Sequence, residues 1–167
     1  MSVKSCPVRV CHRVRNMLLG IGNPLRRDDG VGNYVASCFR AQGWRTADCG
    51  TAPENFTGFV RRHHPDLLVL VDAADMGVAP GECMIIPKER IRDVGIGTHQ
   101  LPLDFFIGFV EDSAGAIILI GIQPMVVGTG EGLSPQVQEG ADRLIRVLEK
   151  GDVGAIPVLG EEPEASG

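Results

Sequence analysis

The stretch Met17-Leu18-Leu19-Gly20-Ile21-Gly22-Asn23-Pro24-Leu25-Arg26-Arg27-Asp28-Asp29-Gly30-Val31-Gly32 constrains the fold more than any other part of the chain. An apolar run of strand length stops at two glycines, passes through a tight loop and ends in two adjacent carboxylates. Acids held at the carboxyl end of a buried strand lie where open α/β sheets place their ligands. A second acid-bearing strand end, Leu67-Leu68-Val69-Leu70-Val71-Asp72-Ala73-Ala74-Asp75, and a loop histidine in Gly97-Thr98-His99-Gln100 can meet it there. Two carboxylates and an imidazole are the donor set of a metal site.

The rest of the chain repeats the strand-then-helix pattern. Strand-like runs fall at Val14–Ile21, Trp44–Cys49, Asp66–Val71, Glu82–Pro87 and Ala116–Ile122, and helix-like segments at about 30–42, 55–64, 101–112 and 135–150. Such alternation predicts an α/β fold, a parallel or mostly parallel sheet between two helical layers. The connection from Asp72 to Glu82 holds Gly77, Pro80 and Gly81 and is too short for a crossover helix. The strand at Glu82–Pro87 is therefore expected to run antiparallel, giving a mixed sheet. The last helix has clear ends, with Ser134 as N-cap, Pro135 in the first helical position and Gly151 after the end. Its apolar face is Val137, Ala141, Leu144, Ile145 and Leu148.

At 167 residues the chain is long enough for one domain with a proper core, expected over residues 1–150 with residues 1–15 as an extension. The net charge of −5 is unevenly spread. Residues 1–16 carry Lys4, Arg9, Arg13 and Arg15 with no acid, and residues 151–167 carry Asp152, Glu161, Glu162 and Glu164 with no base. This acidic end, mixing Gly, Pro and Glu, is expected to be disordered or loosely laid on the surface. No basic stripe argues for nucleic acid, and no apolar run reaches the length of a membrane span. A cytoplasmic protein without membrane or nucleic-acid partners is expected. Cys6, Cys11, Cys38, Cys49 and Cys83 are scattered and odd in number, which suits reduced thiols. Cys6-x4-Cys11-His12 reads as part of a mobile extension, since no second cysteine pair at zinc spacing follows.

Gly20-x-Gly22 after a strand invites a dinucleotide reading, but position 25 is Leu25 where the third glycine belongs, and two acids sit where a pyrophosphate would. Asp28 and Asp29 suit a helix start, where an acid gains roughly 0.3–1 kcal/mol from the dipole. One cap needs one aspartate, so one residue is expected to close the helix and the other to project. Asp72 closes five apolar residues, and a carboxylate desolvated there costs several kcal/mol unless paired or coordinated. His99 precedes Leu101-Pro102-Leu103-Asp104-Phe105-Phe106, an amphipathic helix start that would anchor its loop beside the sheet. Carboxylate oxygens with an imidazole nitrogen suit nickel, zinc or cobalt. His63 and His64, next to Arg61 and Arg62, read as a solvated helix end, while Glu54 is either a cap or a support for the site.

The motifs Gly20-Ile21-Gly22-Asn23-x4-Asp28-Asp29-Gly30-x-Gly32, Ala52-Pro53-Glu54-Asn55, Val71-Asp72-Ala73-Ala74-Asp75-Met76-Gly77, Gly81-Glu82, Thr98-His99 and Gly121-Ile122-Gln123-Pro124 occur in that order. Together they resemble the nickel-iron hydrogenase maturation endopeptidases, in the branch that processes the hydrogenase 3 large subunit of formate hydrogenlyase. The resemblance spans roughly residues 16–150. It implies a three-layer α/β/α fold with a five-stranded twisted sheet, and removal of a C-terminal extension from the large-subunit precursor after nickel insertion. It also implies Asp29, Asp72 and His99 as nickel ligands and catalytic groups, with Asp29 the member of its pair that faces the sheet edge. The nickel would arrive with the substrate, held by the substrate's thiolates. In isolation the site would be weak, empty or filled by an adventitious divalent cation. Nickel then acts as Lewis acid, or serves recognition alone while Asp29 or Asp72 is general base for water.

The implied partner is the large-subunit precursor, and the enzyme is expected to be a monomer. The alternatives are a non-hydrolytic metal-binding chaperone of the large subunit and a degenerate nucleotide-binding module. Docking on a folded precursor would use Arg26, Arg27, Phe56, Phe59 and the 123–133 loop. Within that loop Gly128, Gly130 and Gly132 suggest a plain solvent loop or one that orders on substrate.

Overall fold

The computed structural model describes residues 15–96 and 102–162. Six strands form, β1 (Asn16–Gly20), β2 (Trp44–Asp48), β3 (Leu67–Asp75), β4 (Cys83–Ile86), β5 (Gly95–Ile96) and β6 (Ala116–Ile122). The helices are α1 (Val31–Cys38), α2 (Thr57–His63), α3 (Leu103–Val110) and α4 (Pro135–Glu149). The sheet order is β2-β1-β3-β6-β4, with the two-residue β5 paired to the end of β3. β2, β1, β3 and β6 are parallel and β4 is antiparallel to β6, so the mixed sheet expected from the short 72–82 connection is present.

Strand alternation divides the core in two. Leu18, Val69, Val71 and Ile120 face α1 and α4 with Val31, Val35, Val137, Ala141 and Leu148. Met17, Leu19, Leu68, Leu70 and Leu119 face α2 and α3 with Val60, Phe106 and Val110. A sheet apolar on both sides needs a helical layer on each, which produces the three-layer α/β/α sandwich.

Differences from the sequence reading lie at the ends of elements. α1 stops at Cys38 rather than near 42, because Phe39 turns extended and buries its ring edge-on against Trp44, 5.1 Å between centroids. β3 runs on to Asp75, so Asp72 lies inside the strand rather than after it; its last two residues, Ala74 and Asp75, pair with β5. The acidic end is not loose over its described part. Ile156 is buried, the Ile85 N–H donates to the Pro157 carbonyl, and the Leu159 N–H donates to the Ile85 carbonyl. Residues 157–159 thus cover the open edge of β4, satisfying backbone groups that an edge strand would leave to solvent. Residues 163–167, and the Cys6/Cys11 extension, lie outside the described residues. No described helix is long and apolar enough to cross a membrane.

The first crossover is unusually close. A Cβ on Gly32 would strike the carbonyl oxygens of Ile21 and Val71, and one on Gly20 would strike the Gly32 carbonyl. The start of α1 therefore rests directly on the carboxyl ends of β1 and β3. Gly32→Ala is expected to cost about 1–3 kcal/mol by overpacking. Gly108→Ala, at an exposed α3 position with open space around it, should be neutral or stabilising by up to about 1 kcal/mol through helix propensity. Urea unfolding of the two variants checks the contrast, and equal effects would contradict the close-packing argument.

Candidate active site

From β1 the chain crosses to β2 on one side and then to β3 on the other, so the strand order reverses between the parallel β1 and β3. The crevice outside their carboxyl ends is the ligand position of an open α/β sheet. A cleft of about 390 Å³ opens there, lined by Asp29, Ala73, Asp75, Gly95, Gln123, Pro124, Met125 and Val127.

The two adjacent aspartates have different roles, and neither caps α1, whose N-cap is Gly30 without a side-chain bond. Asp28 is fully buried. Its Oδ2 accepts from the N–H groups of Met125 at 2.9 Å and Val126 at 2.8 Å and from the Ser134 hydroxyl at 2.8 Å. Its Oδ1 accepts from the Ser134 N–H at 2.6 Å. Ser134 is the N-cap residue of α4 by position, but its hydroxyl serves Asp28 rather than the helix. Burial alone would raise the Asp28 pKa, yet the four donors outweigh it and hold the carboxyl below its ordinary value of 3.8.

Asp29, 2% exposed, lines the cleft. Its Oδ2 accepts the Asn23 N–H at 3.1 Å, and Oδ1 accepts no hydrogen bond among the described residues. The preceding Arg27 takes a positive φ of 53°, which swings the 28–30 turn back over the strand ends. Gly22, at φ 150°, lies so close that a Cβ would strike the Asp29 carbonyl.

Asp72 is fully buried in β3 opposite Gly121 of β6. Alternation puts it on the face of Leu68, Leu70 and Ala74, one residue from the cleft-lining Ala73. A side chain at Gly121 would crowd Ile86 Cδ1 at 2.7 Å and Ala74 Cβ at 2.8 Å on that face. His99 lies outside the described residues, but the chain on either side is placed. Gly95, four positions earlier, lines the cleft opposite Asp75. Arg92 Nε and Asp104 Oδ2, 2.7 Å apart, tie the two flanks together. Among the described residues no three His, Cys, Asp or Glu side chains form a metal-holding group.

Two cleft residues stand in the quoted motifs with no role assigned from sequence. Gln123, 7% exposed, accepts the Met76 N–H at 2.7 Å through Oε1 and donates from Nε2 to Asp75 Oδ1 at 3.1 Å. It fixes the end of β3 relative to β6. The signal for it is the one that marked Asp72, a polar residue at the end of an apolar strand. Asp75, three positions past Asp72, is exposed and forms the cleft wall.

Other expectations are corrected. Phe56 and Phe59 are half-buried and stack edge-on, 6.2 Å apart, against the α2/α3 core. The 123–133 loop is not a plain solvent loop, since Asp28 holds it, the Arg27 N–H donates to the Gly130 carbonyl and the Gly130 N–H donates to the Leu25 carbonyl. Leu25, Met125, Val126 and Val127 are the exposed apolar residues there. The Glu54 side chain makes no cap bond, and its Oε2 is buried with no hydrogen bond among the described residues. His63 donates from Nδ1 to the Phe59 carbonyl, 2.8 Å away, and His64 ends α2 in a left-handed conformation, as a helix end should. Burial pushes the Cys49 thiol up and raises Cys83 to about 11, so neither is a thiolate nucleophile at neutral pH.

The depressed Asp28 pKa makes its contribution present above the unfolded value and lost as pH falls through the lower folded value. Asp28→Asn should cost about 2–4 kcal/mol at pH 6, since one amide cannot accept from four donors. The gap to wild type should narrow as the pH drops below 3.8. Urea midpoints of both proteins across that range test it, and a gap independent of pH would contradict the assignment.

A family model described as HycI, hydrogenase maturation protease, matches residues 31–150. The hydrogenase 3 maturation protease of Escherichia coli K12 is 35% identical over 138 residues, 80% of this chain and 88% of that protein. The solution structure of endopeptidase HycI from E. coli superposes with a TM-score of 0.79 at 32% identity, covering 90% of this chain and 99% of that one. The crystal structure of a [NiFe] hydrogenase maturation protease HycI from Thermococcus kodakarensis gives 0.73 at 32% identity, covering 83% of this chain and 92% of that one. Family profile, sequence relatives and solved folds agree, and the chain belongs to the hydrogenase maturation protease family.

Proposed function

We propose that this endopeptidase removes the C-terminal extension from a nickel-loaded nickel-iron hydrogenase large-subunit precursor, reading the substrate's nickel through Asp29, Asp72 and His99. Family membership supports the peptidase activity, and relatives carry names specifying hydrogenase 3 and [NiFe] hydrogenase maturation. The observation that carries the site is Asp29, a buried carboxylate at the point where the strand order reverses, with one oxygen committed to Asn23 and the other turned to no donor among the described residues.

The donor set fits a borderline divalent ion, with oxygens from Asp29 and Asp72 and an imidazole nitrogen from His99. Four residues of extended chain span up to about 14 Å, so His99 is within reach of the cleft wall at Gly95. With nickel as cargo of the substrate, these side chains complete its coordination and hold the scissile bond in register. Water is then activated at the metal, or by Asp29 or Asp72 as general base. A cytoplasmic location fits the free thiols of Cys38, Cys49 and Cys83.

The test is the intact mass of a cognate large-subunit precursor incubated with the enzyme, nickel-loaded and nickel-free. The expected result is loss of a C-terminal peptide in the loaded sample alone. Asp29→Asn, Asp72→Asn and His99→Ala should each lower the cleavage rate by about 10²-fold or more while remaining folded by circular dichroism. Stable complex formation without a mass change would instead identify a metal-binding chaperone. Normal cutting by all three variants would overturn the site.

A further inference from the structure

The far wall of the cleft is not built on the sheet. Met125 and Val127 line it from a loop that follows β6, and that loop is exposed at Met125, Val126 and Val127. A glycine-rich connection between a strand and a helix has little reason of its own to hold one conformation. What fixes it comes from across the cleft mouth. The Asp28 carboxylate takes both backbone N–H groups of Met125 and Val126 and both donors of Ser134, so it grips the loop at each end. The return contacts are backbone only, with the Asp28 N–H donating to Val126, the Arg27 N–H to Gly130 and the Gly130 N–H to Leu25. One side chain therefore couples the turn that presents Asp29 to the wall that faces it.

We propose that Asp28 is a positioning residue for substrate, holding the 125–134 segment at a fixed distance from Asp29 so that the precursor chain is received between them. This rests on the protease reading above. Asp28 is fully buried, is not among the cleft-lining residues and spends both carboxylate oxygens on Met125, Val126 and Ser134. Its effect is carried by Met125 and Val127, which a peptide lying in the cleft must meet. Loosening the wall leaves the reacting groups in place but makes the substrate order the loop on binding, which weakens binding rather than chemistry.

The experiment has two arms on the full-length chain. Amide hydrogen exchange in the substrate-free protein is compared for wild type, Asp28→Asn and the milder Ser134→Ala, which removes one of the four bonds and guards against a variant that fails to fold. Exchange of the Met125 and Val126 amides should rise about tenfold or more in Asp28→Asn through local opening, the equivalent of one lost charge-assisted bond, while amides of β1 and β3, which follow the global loss of stability, remain the slowest. Cleavage of nickel-loaded precursor should then show a KM raised about tenfold with kcat within a few-fold of wild type, Ser134→Ala falling between. Asp29→Asn should do the reverse, losing kcat with the loop's exchange unaltered. Unchanged exchange in Asp28→Asn overturns the positioning role whatever the wild type cleaves. Faster exchange with an unaltered KM also overturns it, leaving Asp28 a purely structural residue. Failure of wild type to cut the loaded precursor would strike the protease reading instead, and is told apart because the exchange arm needs no cleavage.

Discussion

Four hydrogen bonds converge on the buried carboxylate of Asp28, and the geometry at the carboxyl end of the sheet follows from them. An ionised group with no access to water is tolerable only when donors surround it, and here the donors come from the 125–134 segment rather than from its own helix. The 28–30 turn and the loop after β6 are thereby locked together above the strands. Close packing sets the turn from below, because Gly32 and Gly20 leave no room for a side chain between α1 and the ends of β1 and β3. Held from both directions, the next residue has little freedom. Asp29 must face the cleft.

The proposed chemistry rests on this separation of roles. A carboxylate that reacts or binds metal needs an uncommitted oxygen, and a carboxylate that builds structure needs all its lone pairs engaged. Adjacent positions in one turn supply one of each, with the bonds on Asp28 full and Asp29 retaining Oδ1. Gln123 does comparable work on the opposite side, tying Met76 and Asp75 to the end of β6 so that β3 ends in a defined place. The cleft is therefore made by polar clasps at its rim and apolar strands beneath it, an arrangement suited to receiving a chain rather than enclosing a small molecule.

Much of this was legible from the residues. Continuous apolar runs at Leu67–Val71 and Ala116–Ile122 marked strands covered on both sides, and the short glycine- and proline-bearing link before Glu82 marked the antiparallel one. The acid pair after β1 marked the cleft, which Asp29 lines. The division of labour within that pair was not legible, because Asp28's partners lie about a hundred residues away and no local pattern reveals them. The same limit hid Gln123 and the docking of residues 157–159 on β4, a pairing made by backbone groups in a segment whose composition reads as disordered. The packing of Phe56 and Phe59 on the α2/α3 core was not legible either, since an amphipathic turn leaves open which face meets the core.

The most direct measurement is nickel anomalous diffraction from crystals of the enzyme bound to nickel-loaded precursor. The account predicts one nickel peak about 2 Å from carboxylate oxygens of Asp29 and Asp72, with Asp28 still engaged by Met125, Val126 and Ser134. A nickel ion bound by Asp28, or one remote from both Asp29 and Asp72, would contradict it.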